Sequence, residues 1–156
     1  MFRLLNHHIE LQSLNEPSHC GTLLLLQHPS VYTFGTATEG NAGPFDLTTK
    51  EGDKLTYEVA YIERAGQATY HGPGQLVMYP IFDLNFFEKD INRYLRSLEQ
   101  VVIDVCGDYN IPASRVDGLT GVWVKNDFLK VAAIGIKLRR WVTMHGLSLN
   151  VDPDMR

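Results

Sequence analysis

The segment from residue 64 to residue 75 contains the side chains of this sequence that are best suited to binding or chemistry. It runs Arg-Ala-Gly-Gln-Ala-Thr-Tyr-His-Gly-Pro-Gly-Gln. Gly72, Pro73 and Gly74 predict a tight turn, and glycine lets another molecule approach the backbone closely. A connection between strands would explain the turn by itself. It would not explain the guanidinium, amide, hydroxyl and imidazole groups around it, so we interpret the segment as part of a binding site.

Lys130 is the first single residue that could carry chemistry. Strict strand alternation places it on the apolar face of Ala132, Ile134 and Ile136. An ammonium group on such a face is costly to bury unless it has a partner. The alternative is that Lys130 lies near a hairpin end and extends into water, and the sequence leaves both possibilities open. Gly135 indicates that another group packs close to this strand.

His145 is a second titratable group in a strand-like stretch. Alternation places it on the face of Thr143 and Leu147. A single histidine on an apolar face is usually a hydrogen-bonded core residue, and that interpretation is favoured here. Gly146 and Ser148 beside it slightly favour contact with a ligand.

Metal and nucleotide chemistry have no signature in the sequence. His7, His8, His19 and Cys20 match no compact metal-ligand spacing. Phosphate loops and the Gly-x-Ser-x-Gly elbow are also missing from the sequence. We therefore expect no metal and no cofactor, and a solvated, partly ordered stretch over residues 1–20.

The remaining pattern predicts strands joined by turns, with one long loop over residues 36–53. Strands are predicted at Thr22–Gln27, Val31–Gly35, Leu55–Tyr61, Leu76–Tyr79 (followed by Pro80), Gly121–Val124, Leu129–Leu138 and Trp141–Val151, with a hairpin turn at Lys125–Asp127. The alternation in Leu55–Tyr61 is typical of a half-buried strand, and the unbroken apolar run Leu76–Tyr79 of a strand buried on both faces.

One long helix is predicted between the strand at Leu76–Tyr79 and the strand at Gly121–Val124. Asn85 is the expected N-cap, with Glu88 completing a capping box, and Gly107 is the expected stop. We expect Cys106 to be a buried, inert thiol. The predicted apolar face comprises Phe87, Ile91, Tyr94, Leu95, Leu98, Val101, Val102 and Val105.

This order of elements predicts an α+β fold with a mainly antiparallel sheet and packed helices, in a single domain over residues 1–156. The net charge of -4 argues against nucleic acid as a general partner. Two cysteines exclude a disulfide framework. The start of the chain lacks the apolar core of a signal peptide, and the longest leucine run is too short to span a membrane. We expect a cytoplasmic location and no membrane partner.

Four segments together resemble the lipoyl(octanoyl) transferase family. They are His28–Gly35, Gly66–Leu76, Lys130–Gly135 and His145–Val151. The resemblance runs from about Leu23 to the C-terminus, and Ser114–Val124 is similar to cyanobacterial and plastid members.

The resemblance implies a catalytic domain like those of biotin and lipoate protein ligases. It implies transfer of an octanoyl group from octanoyl-acyl carrier protein to a lysine of lipoyl domains, through a cysteine thioester. The implied acceptors are the lipoyl domains of 2-oxoacid dehydrogenase E2 subunits and the glycine cleavage H protein.

Matching by motif implies that Lys130 is the catalytic lysine, which favours a cysteine thiolate and moves its proton. Gly72 and His145 are implied supporting residues. The implied substrate-binding residues are Arg64, Ala65, Gly66, Gln67, Ala68, Thr69, Tyr70, His71, Ala133, Ile134, Gly135, Gly146, Leu147 and Ser148.

The sequence departs from the family at three points. Ala65 replaces a common glycine, and no leading helix is evident before Leu23. The nucleophilic cysteine of the family follows the His-Gly-Leu strand, and neither Cys20 nor Cys106 lies in that motif. We therefore expect a chain truncated before the nucleophile. Two alternatives follow: an acyl-binding module without chemistry, and an ATP-using ligase, whose nucleotide signatures the loop lacks.

Overall fold

The computed structural model describes residues 1–14, 19–38, 58–124 and 129–154. A short 3₁₀ helix spans Leu84–Phe86. The elements in chain order are α1 (Phe2–Leu14), β1 (Gly21–Leu26), β2 (Val31–Phe34), β3 (Glu58–Tyr61), β4 (Ala68–His71), β5 (Gln75–Phe82), α2 (Ile91–Asp108), β6 (Ala113–Ser114), β7 (Val122–Val124), β8 (Leu129–Arg139) and β9 (Val142–Asn150).

The described strands form two sheets. The large sheet has six strands in the order β1-β5-β9-β8-β7-β6, and each neighbouring pair is antiparallel. The small sheet has the order β3-β2-β4, in which β2 and β3 run parallel and β2 and β4 run antiparallel. The predicted α+β fold with a mainly antiparallel sheet is confirmed.

Two apolar cores hold the helices against the large sheet. Leu98 and Val102 of α2 pack with Ala132, Ile136 and Leu147 from β8 and β9. The second core joins Leu5 of α1 to Ile81, Val142 and Met144 from β5 and β9. A few aliphatic side chains therefore fix the position of each helix on the large sheet.

The expectation of a partly ordered N-terminus is wrong. Residues 2–14 form α1, in which Leu5 and His8 are buried. Gln12 donates a hydrogen bond of 2.7 Å to Asp83, which anchors the end of the helix. Because His8 and Gln12 lie among the apolar residues of this face, the 3.6-residue periodicity of apolar side chains is weak in the sequence.

The predicted start of the long helix is also wrong. Asp83, not Asn85, caps the short 3₁₀ helix by accepting the Asn85 backbone N–H. The long helix α2 begins at Ile91, and Asp90 is its N-cap, accepting the Arg93 N–H at 3.0 Å. Asp90 and Asn85 have the same capping chemistry. The packing around Asp83 therefore determines which of the two is the N-cap of the long helix.

The buried face of α2 is narrower than predicted. Val101 and Val105 are exposed, while Glu99 is buried. Cys106 is buried in the core, as expected, and this burial raises the pKa of its thiol. The helix ends at Asp108, one residue beyond the predicted stop.

Two strand predictions need correction. Strand β5 continues past Pro80 to Phe82, because it pairs with β1 as far as Phe82. On the other side, where the ladder with β9 is interrupted, the Thr143 hydroxyl donates to the Pro80 carbonyl. In β3, Val59 and Tyr61 are exposed, so this edge strand is not half-buried as predicted.

Several predicted features lie outside the described residues. These are the hairpin turn at residues 125–127, most of the loop over 36–53, and the start of the strand predicted from Leu55. Strands β7 and β8, which flank the predicted turn, pair antiparallel.

Candidate active site

A cavity of about 350 Å³ lies between the large sheet and the segment that leads into β4. Its volume is within the range of small-molecule clefts, about 300–1,000 Å³. One wall is formed by β5, β8 and β9, and the other by residues 62–69 with His71.

The structure brings nearly all the residues proposed for substrate binding to this cavity. Tyr70 is the exception, because it lines an adjoining cavity of about 200 Å³ with Gln75, Lys130 and Asn150. The proposed residues in the larger cavity are Arg64, Ala65, Gly66, Gln67, Ala68, Thr69, His71, Ala133, Ile134, Gly135, Gly146, Leu147 and Ser148.

Arg64 is a buried cation that holds one wall together. Its Nη2 donates to the Thr33 carbonyl at 2.8 Å and to the hydroxyls of Thr33 and Thr69, each at 2.9 Å. Its Nη1 donates to the Ala65 carbonyl at 3.1 Å. Burial lowers the pKa of the guanidinium, although such a group stays charged in proteins.

Gly135 lets this wall approach β8 closely. A Cβ at Gly135 would lie 2.7 Å from the Ala65 carbonyl oxygen. The Ala65 N–H in turn donates to the Ile136 carbonyl at 3.0 Å. The missing side chain therefore lets the loop hydrogen-bond to the sheet while the cavity stays open beside it.

His71 begins a chain of hydrogen bonds that ends at the backbone of Lys130. Its Nδ1 lies 2.7 Å from Gln75 Oε1, and Gln75 Nε2 donates to Asn150 Oδ1 at 2.9 Å. Asn150 Nδ2 donates to the Lys130 carbonyl at 3.3 Å. Because Gln75 accepts through Oε1, Nδ1 of His71 carries the proton. Burial lowers the pKa of His71, which favours the neutral ring.

Gly72, proposed as a supporting residue, is buried just outside the cavity lining. A Cβ there would lie 2.5 Å from the Tyr70 hydroxyl oxygen. This glycine therefore makes room for the ring of Tyr70, whose hydroxyl lies 3.0 Å from Ser30 Oγ.

His145 is buried, as predicted, but it lines the cavity and is not the hydrogen-bonded core residue that the sequence favoured. Its φ of 60° is in the left-handed region, which interrupts the regular alternation of β9. Its Nε2 is buried and has no hydrogen-bond partner in the part of the chain that the structure describes. Burial, with the nearby charge of Arg64 as a further cause, lowers the pKa of His145 to about 4.

Lys130 also lies on the opposite face from the one that alternation predicts. Trp123 pairs with Lys130 while Val122 pairs with Ala132, so Val131 is an extra residue in β8. Such a bulge shifts the alternation by one residue. Val131 and Ala132 both pack against the α2 core, and Lys130 lines both cavities.

The Lys130 ammonium lies over an aromatic ring. Its Nζ is 4.9 Å from the centroid of the Trp123 ring. The residue as a whole is exposed, while partial removal from water lowers the pKa of its ammonium group.

Three cavity residues escaped sequence reasoning: Ile62, Val77 and Tyr79. Alternation in β5 could have grouped Val77 with Tyr79, but we interpreted that strand as buried on both faces. His28 Nε2 lies 2.9 Å from the Tyr79 hydroxyl, and burial raises the pKa of Tyr79.

Neither cysteine of the sequence lines the cavity. Cys20 is exposed before β1, and Cys106 is buried in α2. Within the described ranges, no group of three or more histidine, cysteine or acidic side chains is placed to hold a metal ion. Within these same ranges, no helix has the length and apolarity needed to cross a membrane.

The sequence model of the lipoyl protein ligase A/B catalytic domain matches residues 4–156. The chain belongs to this family. The family resemblance predicted from the four motif segments is thus confirmed.

Two curated relatives agree with the expected likeness to cyanobacterial and plastid members. An octanoyltransferase of Nostoc punctiforme is 46% identical over 145 residues, covering 93% of this chain and 60% of the relative. Octanoyltransferase LIP2p2, chloroplastic, of Arabidopsis thaliana is 51% identical over 135 residues, covering 86% of this chain and 46% of the relative. The chain thus spans about half to three-fifths of these relatives.

A solved structure shows the same fold. It is a bipartite lipoate protein ligase from Thermoplasma acidophilum, with a TM-score of 0.65 and 18% identity. The match covers 98% of this chain and 57% of that chain. The predicted ligase-like fold is confirmed.

Proposed function

We propose that this chain forms the acyl-binding part of an octanoyltransferase of lipoate biosynthesis. The observation that supports this most directly is Lys130, which lies beside a cavity of about 350 Å³. The octanoyl chain occupies the space between Gly135 and the Arg64–Thr69 wall. Octanoyl-acyl carrier protein is the donor, and a lysine of a lipoyl domain, in an E2 subunit or the H protein, is the acceptor.

In the proposed reaction, Lys130 moves a proton at each of two acyl transfers. A cysteine thiolate attacks the octanoyl thioester of the carrier, and the leaving carrier thiolate takes a proton from the Lys130 ammonium. The acceptor amine then attacks the new thioester, the cysteine leaves as its thiolate, and the Lys130 amine takes up the proton that the acceptor nitrogen loses as the amide forms. A lowered pKa suits this task, because both forms of Lys130 must be accessible.

The second candidate is an acyl-binding module that performs no chemistry. It is favoured by the position of the two cysteines, neither of which lines the cavity. This candidate keeps octanoate binding and the same cavity residues. It differs from the transferase only in forming no covalent adduct.

Intact-mass spectrometry with octanoyl-acyl carrier protein and a lipoyl domain distinguishes the two when it is done on a version of the protein that also carries the cysteine motif of the family. An octanoyl adduct on the lipoyl domain, lost in Lys130→Ala while octanoate binding persists, supports the transferase. Octanoate binding by calorimetry without any adduct supports the binding module. Absence of octanoate binding contradicts both.

Two further predictions concern the molecule and its location. We infer that residues 1–156 act as a single biotin/lipoate ligase-like domain, which a single cooperative unfolding transition would support. A cytoplasmic location is likewise our proposal, and cell fractionation tests it.

A further inference from the structure

Trp123 and Lys130 lie directly opposite each other on β7 and β8. Trp123 is 8% exposed, so its ring is fixed by surrounding protein. The Lys130 Nζ lies 4.9 Å from the ring centroid, within the roughly 6 Å over which an aromatic face attracts a cation.

Gly121 supplies the space in which the Lys130 side chain lies. A Cβ at Gly121 would be 2.5 Å from Lys130 Cε and 3.3 Å from Lys130 Nζ. The position of Gly121 is itself fixed from α2, because its N–H donates to Glu99 Oε1 at 3.1 Å. Glu99 is 1% exposed. The indole ring of Trp123 and the backbone of Gly121 thus bound two sides of the space that the Lys130 side chain occupies.

No ion pair involves Lys130 among the residues that the structure describes. Beside it, the smaller cavity is lined by hydroxyl and amide side chains, including Thr69, Ser148 and Asn150. A carboxylate partner would bind the ammonium and compete with an anion arriving at the site. An aromatic face attracts the ammonium without neutralising its charge, so the cation stays available to a thiolate.

We propose that Trp123 is a positioning residue for Lys130, and that its indole face and the space above Gly121 together hold the ammonium between the two cavities. The catalytic purpose of this arrangement rests on the proposed function. The arrangement itself is a physical property of the chain and can be measured without donor or acceptor.

The test is NMR of protein containing lysine labelled with ¹³C at Cε. The sequence has six lysines, and Lys130→Arg identifies the Lys130 signal. In the wild type, the indole ring shifts the Lys130 ε-proton resonances upfield. In Trp123→Leu we expect this ring-current shift to disappear and the pKa of Lys130 to fall by about 0.5, since the ring no longer stabilises the cation.

Trp123→Phe is the conservative variant, because a smaller aromatic face should restore part of both effects. Trp141→Phe is the matched control, since Trp141 lies in the turn between β8 and β9, and it should change neither. If the Lys130 signals and the pKa of Lys130 in Trp123→Leu equal those of the wild type, the proposal is overturned. If Trp123→Leu fails to fold, unchanged Lys130 signals in a folded Trp123→Phe would overturn it equally.

Octanoate calorimetry on the wild type keeps the two proposals separate. If the wild type does not bind octanoate, the proposed function is contradicted. The NMR result would still decide the role of Trp123.

Discussion

At the scale of single residues, the cavity depends on where side chains are missing. Gly135 leaves space for the Ala65 carbonyl, and Gly146 leaves space for the Met78 carbonyl, which would lie 2.2 Å from an added Cβ. In both cases a neighbouring backbone occupies the place that a side chain would need. Gly135 therefore fixes how closely the Ala65 wall approaches β8, and Gly146 fixes how closely β5 and β9 approach each other within the large sheet.

Gly135→Ala is expected to weaken octanoate binding by about tenfold or more and to destabilise the fold by about 1–3 kcal/mol, because the added methyl group displaces the Ala65 wall. Calorimetry and urea unfolding measure the two effects. Gly107→Ala is the matched control: outside its own helix turn and chain neighbours, no described residue comes within 4 Å of an added Cβ there, so we expect unchanged binding and slightly higher helix stability. Unchanged binding in Gly135→Ala would contradict the proposed position of the acyl chain.

His145 is expected to make the fold sensitive to acid. Its pKa falls from an ordinary 6.5 to about 4 because it is buried. Between these values the unfolded chain binds a proton that the folded chain does not, so the free energy of unfolding falls as the pH falls from 6.5 towards 4. Urea unfolding across this window should show a shallower pH slope for His145→Phe than for the wild type. Equal slopes would contradict the assignment.

At the scale of elements, α2 organises the strands beside Lys130. Glu99 of α2 binds the Gly121 N–H, and its Oε2 accepts from Arg96 at 2.7 Å and from Arg115 at 2.9 Å. Burial alone would raise the pKa of Glu99, but the hydrogen bonds from Gly121, Arg96 and Arg115 outweigh it and lower the pKa. One buried carboxylate thus joins the helix to both ends of the segment between β6 and β7.

Glu99→Gln is expected to destabilise the protein by about 2 kcal/mol, because it removes the charge that these donors share in a buried position. Glu88→Gln is the control: Glu88 forms an exposed ion pair with Arg93, so its loss should change stability by less than about 1 kcal/mol. Urea unfolding above pH 4.5, where the free carboxyl is ionised, measures both. Equal effects of the two substitutions would contradict the structural role of Glu99.

At the scale of the whole molecule, the large sheet and the segment leading into the small sheet share one cavity. Ala133 and Ser148 come from the large sheet, while Gln67 and Thr69 come from the opposite wall. A ligand that contacts both walls binds the folded state alone. Binding should therefore stabilise the entire fold.

Octanoate at about 100 times its dissociation constant is expected to raise the free energy of unfolding by about 2.7 kcal/mol. Butanoate is the matched control ligand. It lacks four methylene groups, which reduces its binding free energy by about 3 kcal/mol, so the same concentration should have almost no effect. Thermal unfolding with each acid measures this, and equal stabilisation would show that the cavity does not bind the chain.

The sequence by itself determined the family, the α+β class and most of the cavity lining. The reason is local: the turn and the polar side chains of residues 64–75 lie within one short segment, and the glycines beside Lys130 and His145 mark close approaches. These signals depend on residue type and spacing.

Only the tertiary structure decided where Lys130 and His145 point. The extra residue Val131 in β8 and the left-handed φ of His145 each shift the side-chain alternation, and neither has a distinct mark in the residue pattern. The structure also decided that residues 2–14 form a helix, because the partners of Leu5 are Ile81, Val142 and Met144, far away in the sequence. Contacts between distant segments outweigh local preference at these positions.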